Sequence, residues 1–155
     1  MKDMMIKINN LINPLRMIAD KVGSPLLDLS FRLYLGWAFF KSGMLRAKDY
    51  FNGSWDTQVF LFEMEHPVPG LDASLAAPVT TIAELALPVL VGLGLFSRFG
   101  AAGLFVMALV IQLTYQENYQ HILWMALAAS IFIKGPGPLS VDNLMVKWLK
   151  RDSTI

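Results

Sequence analysis

Residues 76–96 read AAPVTTIAELALPVLVGLGLF, and this run decides what kind of fold the chain adopts. At 1.5 Å per residue, a helix of this length crosses the roughly 30 Å of hydrocarbon in a bilayer core. One ionisable side chain, Glu84, stands near its middle. A short carboxylate cannot lift itself to either surface from there, and a charge left at that depth costs at least ~2.5 kcal/mol. Glu84 is therefore expected to be neutral, paired or facing a wet cavity. Pro88, four residues on, lacks the N–H that would bind the Glu84 carbonyl. The i+4 row reads Ala76, Thr80, Glu84, Pro88, Gly92. So narrow a face packs closely, because small residues let helices approach in lipid. A packing seam with one buried hydrogen bond and a functional site are both open readings of it.

Outward from this run, residues 26–46 (LLDLSFRLYLGWAFFKSGMLR) make an earlier apolar segment. Arg32 and Lys41 lie nine residues apart in it, on opposite faces at 100° per residue, each near its own end. Snorkelling to the two surfaces accounts for such a pair. Arg32, Gly36 and Gly43 share a face and form a second seam of small residues. Beyond residue 96, Ser97 and Arg98 lead into a third segment, 99–114, whose one strongly polar side chain is Gln112. A turn from Tyr115 to Tyr119 returns the chain into a fourth, 119–133, opened by His121 and Trp124. Tyr115, Tyr119 and Trp124 form an aromatic belt of the kind that sits at a bilayer surface. Gly135-Pro136-Gly137-Pro138 stops that helix.

Composition agrees with a membrane protein. Of 155 residues, 55% are hydrophobic, with a mean hydropathy of +0.48. Soluble domains are nearer ~45–50% apolar, and here the excess falls into long runs. A net charge of +1 and the lack of a basic, aromatic-laced patch give no case for a nucleic-acid partner. There is no cysteine, which excludes disulfides, thiolate catalysis and cysteine-ligated clusters. Two histidines, one of them in a loop, argue against a bis-histidine haem.

The first 24 residues carry Ile8, Leu11, Ile12, Leu15, Ile18 and Val22 at helical spacing, with Lys7, Arg16 and Lys21 among them. This predicts an amphipathic helix on the membrane surface, broken or restarted at Pro14 and too often interrupted by charge to insert. Between the first two spans, residues 47–74 hold Asp49, Asp56, Glu63, Glu65 and Asp72 against Lys48 alone. A short interfacial helix is expected around Trp55, Val59, Phe60 and Phe62, ended at His66-Pro67-Val68-Pro69-Gly70. A connection of this length is expected to lid one end of the bundle. Glu63, Glu65 and His66 have ligand chemistry, but adjacent exposed charges are ordinarily solvated, so no metal is expected.

The expected fold is all-α: a four-transmembrane-helix bundle with spans at about 26–46, 76–96, 99–114 and 119–133. Residues 1–24 form the surface segment, 25–142 the membrane domain and 143–155 a short amphipathic tail. Lys2, Lys7, Arg16, Lys21, Arg98, Lys134, Lys147, Lys150 and Arg151 fall on one side of this topology, and Arg46 and Lys48 on the other. The positive-inside rule then places both termini, Ser153 included, in the cytoplasm. Lys41, Thr80, Thr81, Gln112 and His121 fall in the outer half of their spans, with Glu84 just below. One polar group per helix at compatible depth predicts an internal network in which Lys41 or His121 partners Glu84. Such a network serves as a register pin, a proton relay or a pocket for a lipid-soluble head group.

The motif RLYLGWAFF at residues 32–40, followed by Gly43, resembles the opening of the DoxX family. AELALPVLVGLGLFSRFGA at 83–101 is similar to that family's glutamate, glycine-rich run and turn arginine. His121 and GPGPLSVD at 135–142 complete the resemblance, which covers about 26–142. It implies a four-helix, bacterial-type inner-membrane protein related to the small subunit of thiosulfate:quinone oxidoreductase. Some such proteins accompany oxidative-stress enzymes or lie in gene clusters for metal-binding peptides. By position, Arg32, Glu84, Arg98 and His121 are the family's polar residues, and Pro88 belongs to the glutamate motif. Pro138 departs from the polar or basic residue expected in the closing motif. The acidic loop with Trp55 and Pro67-Val68-Pro69 resembles one subgroup.

Three functions follow from the resemblance and the polar network. The first is an accessory component of a quinone-linked or oxidative-stress redox system, with a quinone head group near Glu84. The others are a non-enzymatic anchoring or assembly subunit and a transport or metal-handling protein. No redox-active group is encoded, so the chain is read as lacking self-sufficient catalytic activity. Its expected partners are the lipid bilayer and either another protein or a second copy of itself.

Overall fold

Proline and glycine punctuate this chain, and helices fill almost everything between them. The computed structural model describes residues 1–115 and 117–152. Gln116 of the expected tyrosine turn, residues 153–155 of the expected tail with Ser153, and the Ile8 side chain lie outside the described residues. Helix α1 (Lys2–Ile18) passes through Pro14, enters a π-helical turn (Ala19–Gly23) and continues as α2 (Ser24–Phe51). The break expected at Pro14 does not occur. The interruption comes later, as the π turn, and Gly23 itself keeps helical angles (φ −63°, ψ −50°). Helix α3 (Trp55–Met64) follows, then α4 (Ala73–Leu93), α5 (Ser97–Thr114), α6 (Tyr119–Lys134) and α7 (Val141–Asp152).

The ends of these helices have local causes. Asp72 caps α4 by accepting from the Ser74 backbone N–H at 3.0 Å, and Asn118 caps α6 through the Gln120 N–H at 2.9 Å. Gly94 closes α4 in the left-handed region (φ 72°), where a Cβ would come within 2.5 Å of the Ser140 Cβ. Asp142 caps α5 from a distance in sequence. Its carboxylate accepts from the backbone N–H groups of Phe96 (2.9 Å) and Ser97 (3.1 Å) and from the Ser97 hydroxyl (2.9 Å). The 135–142 motif is thereby locked onto the α4–α5 turn.

Helices α2, α4, α5 and α6 share one apolar core. Leu35 and Phe39, Val91, Leu104 and Ala108, and Leu127 and Ile131 meet in it, one set from each helix in that order. Neighbours in the ring are α2–α4, α4–α5, α5–α6 and α6–α2. The two seams read from sequence lie against each other. A Cβ on Gly36 would sit 3.1 Å from the Pro88 carbonyl oxygen, and one on Gly43 would sit 2.9 Å from the Glu84 Cβ. A second, smaller cluster of Phe62, Ala76 and Ala77 fastens α3 across the first turns of α4.

Two helices, α4 and α5, are long and apolar enough to cross a membrane. Helix α2 interrupts its apolar run with Asp28, Arg32, Lys41 and Arg46, and α6 has only 16 residues. Helix α1 packs chiefly on the adjoining π turn, and Leu11, Leu15 and Ile18 on it are exposed.

Candidate functional site

A cavity of about 440 Å3 opens where the C-terminal half of α2 and the start of α6 face α4 and α5. At its base is Glu84, 1% exposed, whose Oε2 accepts from Arg46 Nη1 at 2.6 Å. The Arg46 guanidinium also lies over the Phe62 ring, 4.9 Å from its centroid. An ion pair clamped beneath an aromatic ring is held by charge and by cation–π attraction together. The partner of Glu84 is thus Arg46, not Lys41 or His121. The reason is helix length. Helix α2 runs to Phe51, so Arg46 is inside a turn rather than at an end, and it shares the inward face of Phe39 and Gly43. Lys41 points to the exposed side.

The remaining polar residues split between the cavity and its surroundings. Thr80 lines the cavity beside Glu84. Thr81 is buried and returns its hydroxyl to the Ala77 carbonyl of its own helix at 2.8 Å. His121 faces the cavity, with Nδ1 3.1 Å from Gln112 Oε1, and that same amide oxygen accepts from the Asn118 N–H at 3.2 Å. Gln112 therefore orients the imidazole. Trp124 stacks between His121 (5.3 Å) and Phe39 (5.0 Å), and its indole Nε1 is buried with no partner among the described residues.

One contributor was not expected in this role. His66, read from sequence as part of a loop breaker, turns into the cavity and packs its ring on Tyr115 at 4.1 Å. Burial first, then the Arg46 charge, lowers its pKa from the ordinary 6.5, with Glu65 opposing. The connection between α2 and α4 covers this end of the cavity, as Gln58 Nε2 binds Asp49 Oδ2 at 2.6 Å and Phe62 closes over Arg46.

Arg32 and Arg98 belong to the other end. Arg32, 1% exposed, turns inward rather than snorkelling. It donates to the Gly92 carbonyl at 3.2 Å and to the Leu139 carbonyl, tying α2 to the closing motif. Arg98 is exposed at the start of α5. Pro88 is buried in the seam against Gly36.

Two membrane-length helices and a charged pair buried among apolar helices define a helical membrane protein with an internal polar site. A family model described as DoxX matches residues 27–117, more than half of the chain, and the chain belongs to that family. The match runs from α2 to the turn before α6. No curated protein and no solved structure matches the chain.

Proposed function

We propose that this protein is an accessory component of a membrane redox system, holding the head group of a quinone in the cavity above Glu84. The observation that carries the reading is the pairing of Arg46 with Glu84 on the wall of a mostly apolar cavity that His121 and Trp124 also line. About 440 Å3 is the size range of small-molecule sites. Phe39 and Trp124, their rings 5.0 Å apart and tilted by 54°, give the wall aromatic surface for a ring ligand. Arg46 and His121, both on the cavity wall, offer donors to ring carbonyls. A quinone bound there would supply two-electron, two-proton redox chemistry that the chain lacks. The protein's own part is to orient the ring between Arg46 and His121 and to exclude water.

In this reading the chain is a four-span protein of a bacterial-type inner membrane, with α2, α4, α5 and α6 crossing and both termini cytoplasmic. The paired seams of α2 and α4 let α2 cross despite its charges, since Arg46 pairs with Glu84 and both Nη groups of Arg32 donate to backbone carbonyls, which leaves only its Nε without a partner among the described residues. A second reading, an anchoring or assembly subunit, is favoured by α1, on which Leu11, Leu15 and Ile18 are exposed. A transport role would use the same cavity.

Extraction in mild detergent, followed by mass spectrometry of bound small molecules and proteins, separates these readings. A quinone that co-purifies with the parent should be lost from Glu84→Gln, which keeps shape but leaves Arg46 without its counter-charge, while the variant still accumulates in the membrane. Glu84→Leu strands Arg46 as well, at about 1–3 kcal/mol or more for a charged group, and should lower protein levels too. Unchanged binding in both variants at normal levels would leave only a packing seam.

A further inference from the structure

At the opposite end from the Glu84 cavity, the start of α5, the end of α6 and α7 border an open hollow of about 660 Å3. Two cations stand on its wall, Arg98 and Lys134. Both are exposed, and neither makes a hydrogen bond or ion pair with another described residue. The carboxylate on the same wall, Asp142, is already engaged by three donors of Phe96 and Ser97. Its oxygens are therefore occupied by the α5 N-terminus, and its charge also acts on the buried Arg32.

The Arg98 guanidinium reaches the chain directly after Lys134: a Cβ built on Gly135 would lie 3.7 Å from its Nη2 and 3.8 Å from its Nε, ordinary van der Waals contact. Around the two cations the surface is apolar, with Phe99, Ile133 and Val146 exposed. Unpaired cations edged by exposed apolar side chains, at the ends of membrane-length helices, complement a phosphate that carries acyl chains.

We propose that this hollow binds the headgroup phosphate of an anionic phospholipid from the leaflet at this end of the molecule. Arg98 offers a planar fork of N–H donors to the phosphate oxygens, and Lys134 a point charge beside it. The acyl chains lie along Phe99 and Ile133. Exposed Leu144 and Trp148 on the neighbouring α7 sit in the same interface. The site is independent of the quinone reading, since it shares no residue with the upper cavity.

Native mass spectrometry of the full chain released from detergent tests it, with phosphatidylglycerol, phosphatidylcholine or inorganic phosphate added. The parent should retain one phosphatidylglycerol under conditions where phosphatidylcholine is not retained. Arg98→Gln with Lys134→Gln should weaken that retention about thirtyfold, the weight of two cations beside an anionic headgroup. The charge-preserving pair Arg98→Lys with Lys134→Arg should keep most of it. Lys7→Gln with Lys21→Gln removes the same charge from the amino-terminal segment and should bind as the parent does. Equal loss in the two glutamine pairs would reduce the effect to net charge and overturn the site. So would equal retention of the two lipids. Inorganic phosphate that blocks the lipid at equal concentration would overturn the lipid assignment in favour of a free anion.

Discussion

A carboxylate at the depth of Glu84 needs a counter-charge, and Arg46 supplies it over 2.6 Å. Removing Arg46 would leave the buried Glu84 charge uncompensated, which costs about 3–5 kcal/mol in proteins generally. The pair is therefore a constraint on the α2–α4 register as well as a feature of the cavity. His66 sits beside it and reports on the covering segment. Its docked pKa is below 6.5, while an undocked imidazole takes its proton near that value. Docking is thus fully favoured above about pH 6.5 and weakens as pH falls below it, because only the undocked form gains the proton. Hydrogen exchange across residues 61–72, corrected for intrinsic rate, should accelerate as pH is lowered from about 7.5 to about 5.5. His66→Phe keeps a ring against Tyr115 and should flatten that response. An equal response in both proteins would remove His66 as its cause. That Glu84 would need a partner was legible from its depth alone, but which partner was not. Ending the first span at Arg46 placed that residue at the surface. The spacing of Phe39, Gly43 and Arg46 along one face was the signal available to place it inside.

Glycine decides how closely the elements approach. At Gly43 an added Cβ would meet the Glu84 Cβ at 2.9 Å, its carbonyl carbon at 3.0 Å and Leu85 Cδ2 at 3.1 Å. Two of these contacts are with the core of the facing helix and cannot yield by a rotamer change. Gly43→Ala should push α2 from α4 and cost about 1–3 kcal/mol, the usual range for overpacking. Gly23, in the π turn, has nothing within 4 Å and keeps helical angles, so Gly23→Ala should stabilise by up to about 1 kcal/mol through helix propensity. Thermal unfolding in detergent, followed by circular dichroism, should move in opposite directions for the two. A shift of the same sign would mean that the seam is not close-packed. The core helices were readable because apolar runs ended at strong punctuation: Asp72, Gly94, Asn118 and Gly135 all stand at real ends. The joining of α1 to α2 was not readable. Proline at 14 has the same sequence signature whether a helix breaks there or merely loses one hydrogen bond and runs on. Nor did sequence reveal Asp142 as the cap of α5, since the contact joins residues 45 and 46 positions apart.

At the scale of the whole molecule, charge is sorted by end. The π turn, the α4–α5 turn, the end of α6 and helix α7 come together at one end with Lys21, Arg98, Lys134, Lys147 and Lys150. The other end carries Asp49, Asp56, Glu63, Glu65 and Asp72, with Arg46 withdrawn into its pair with Glu84 and only Lys48 left facing outward. Withdrawing Arg46 sharpens the asymmetry, because a half-buried, paired cation competes less in setting orientation. Translocation of basic segments is disfavoured, so the basic end should remain cytoplasmic and the covered cavity should open on the far side. The chain has no cysteine, which makes single-cysteine variants clean reporters. Asp56→Cys, exposed at the start of α3, should react with a membrane-impermeant maleimide in intact cells. Arg151→Cys, near the end of α7, should react only after the membrane is opened. The reverse pattern would invert the molecule and place the cavity mouth on the cytoplasmic side. Labelling of both positions in intact cells would mean an even number of crossings between them, so that one of α4, α5 and α6 does not span and the four-span reading fails.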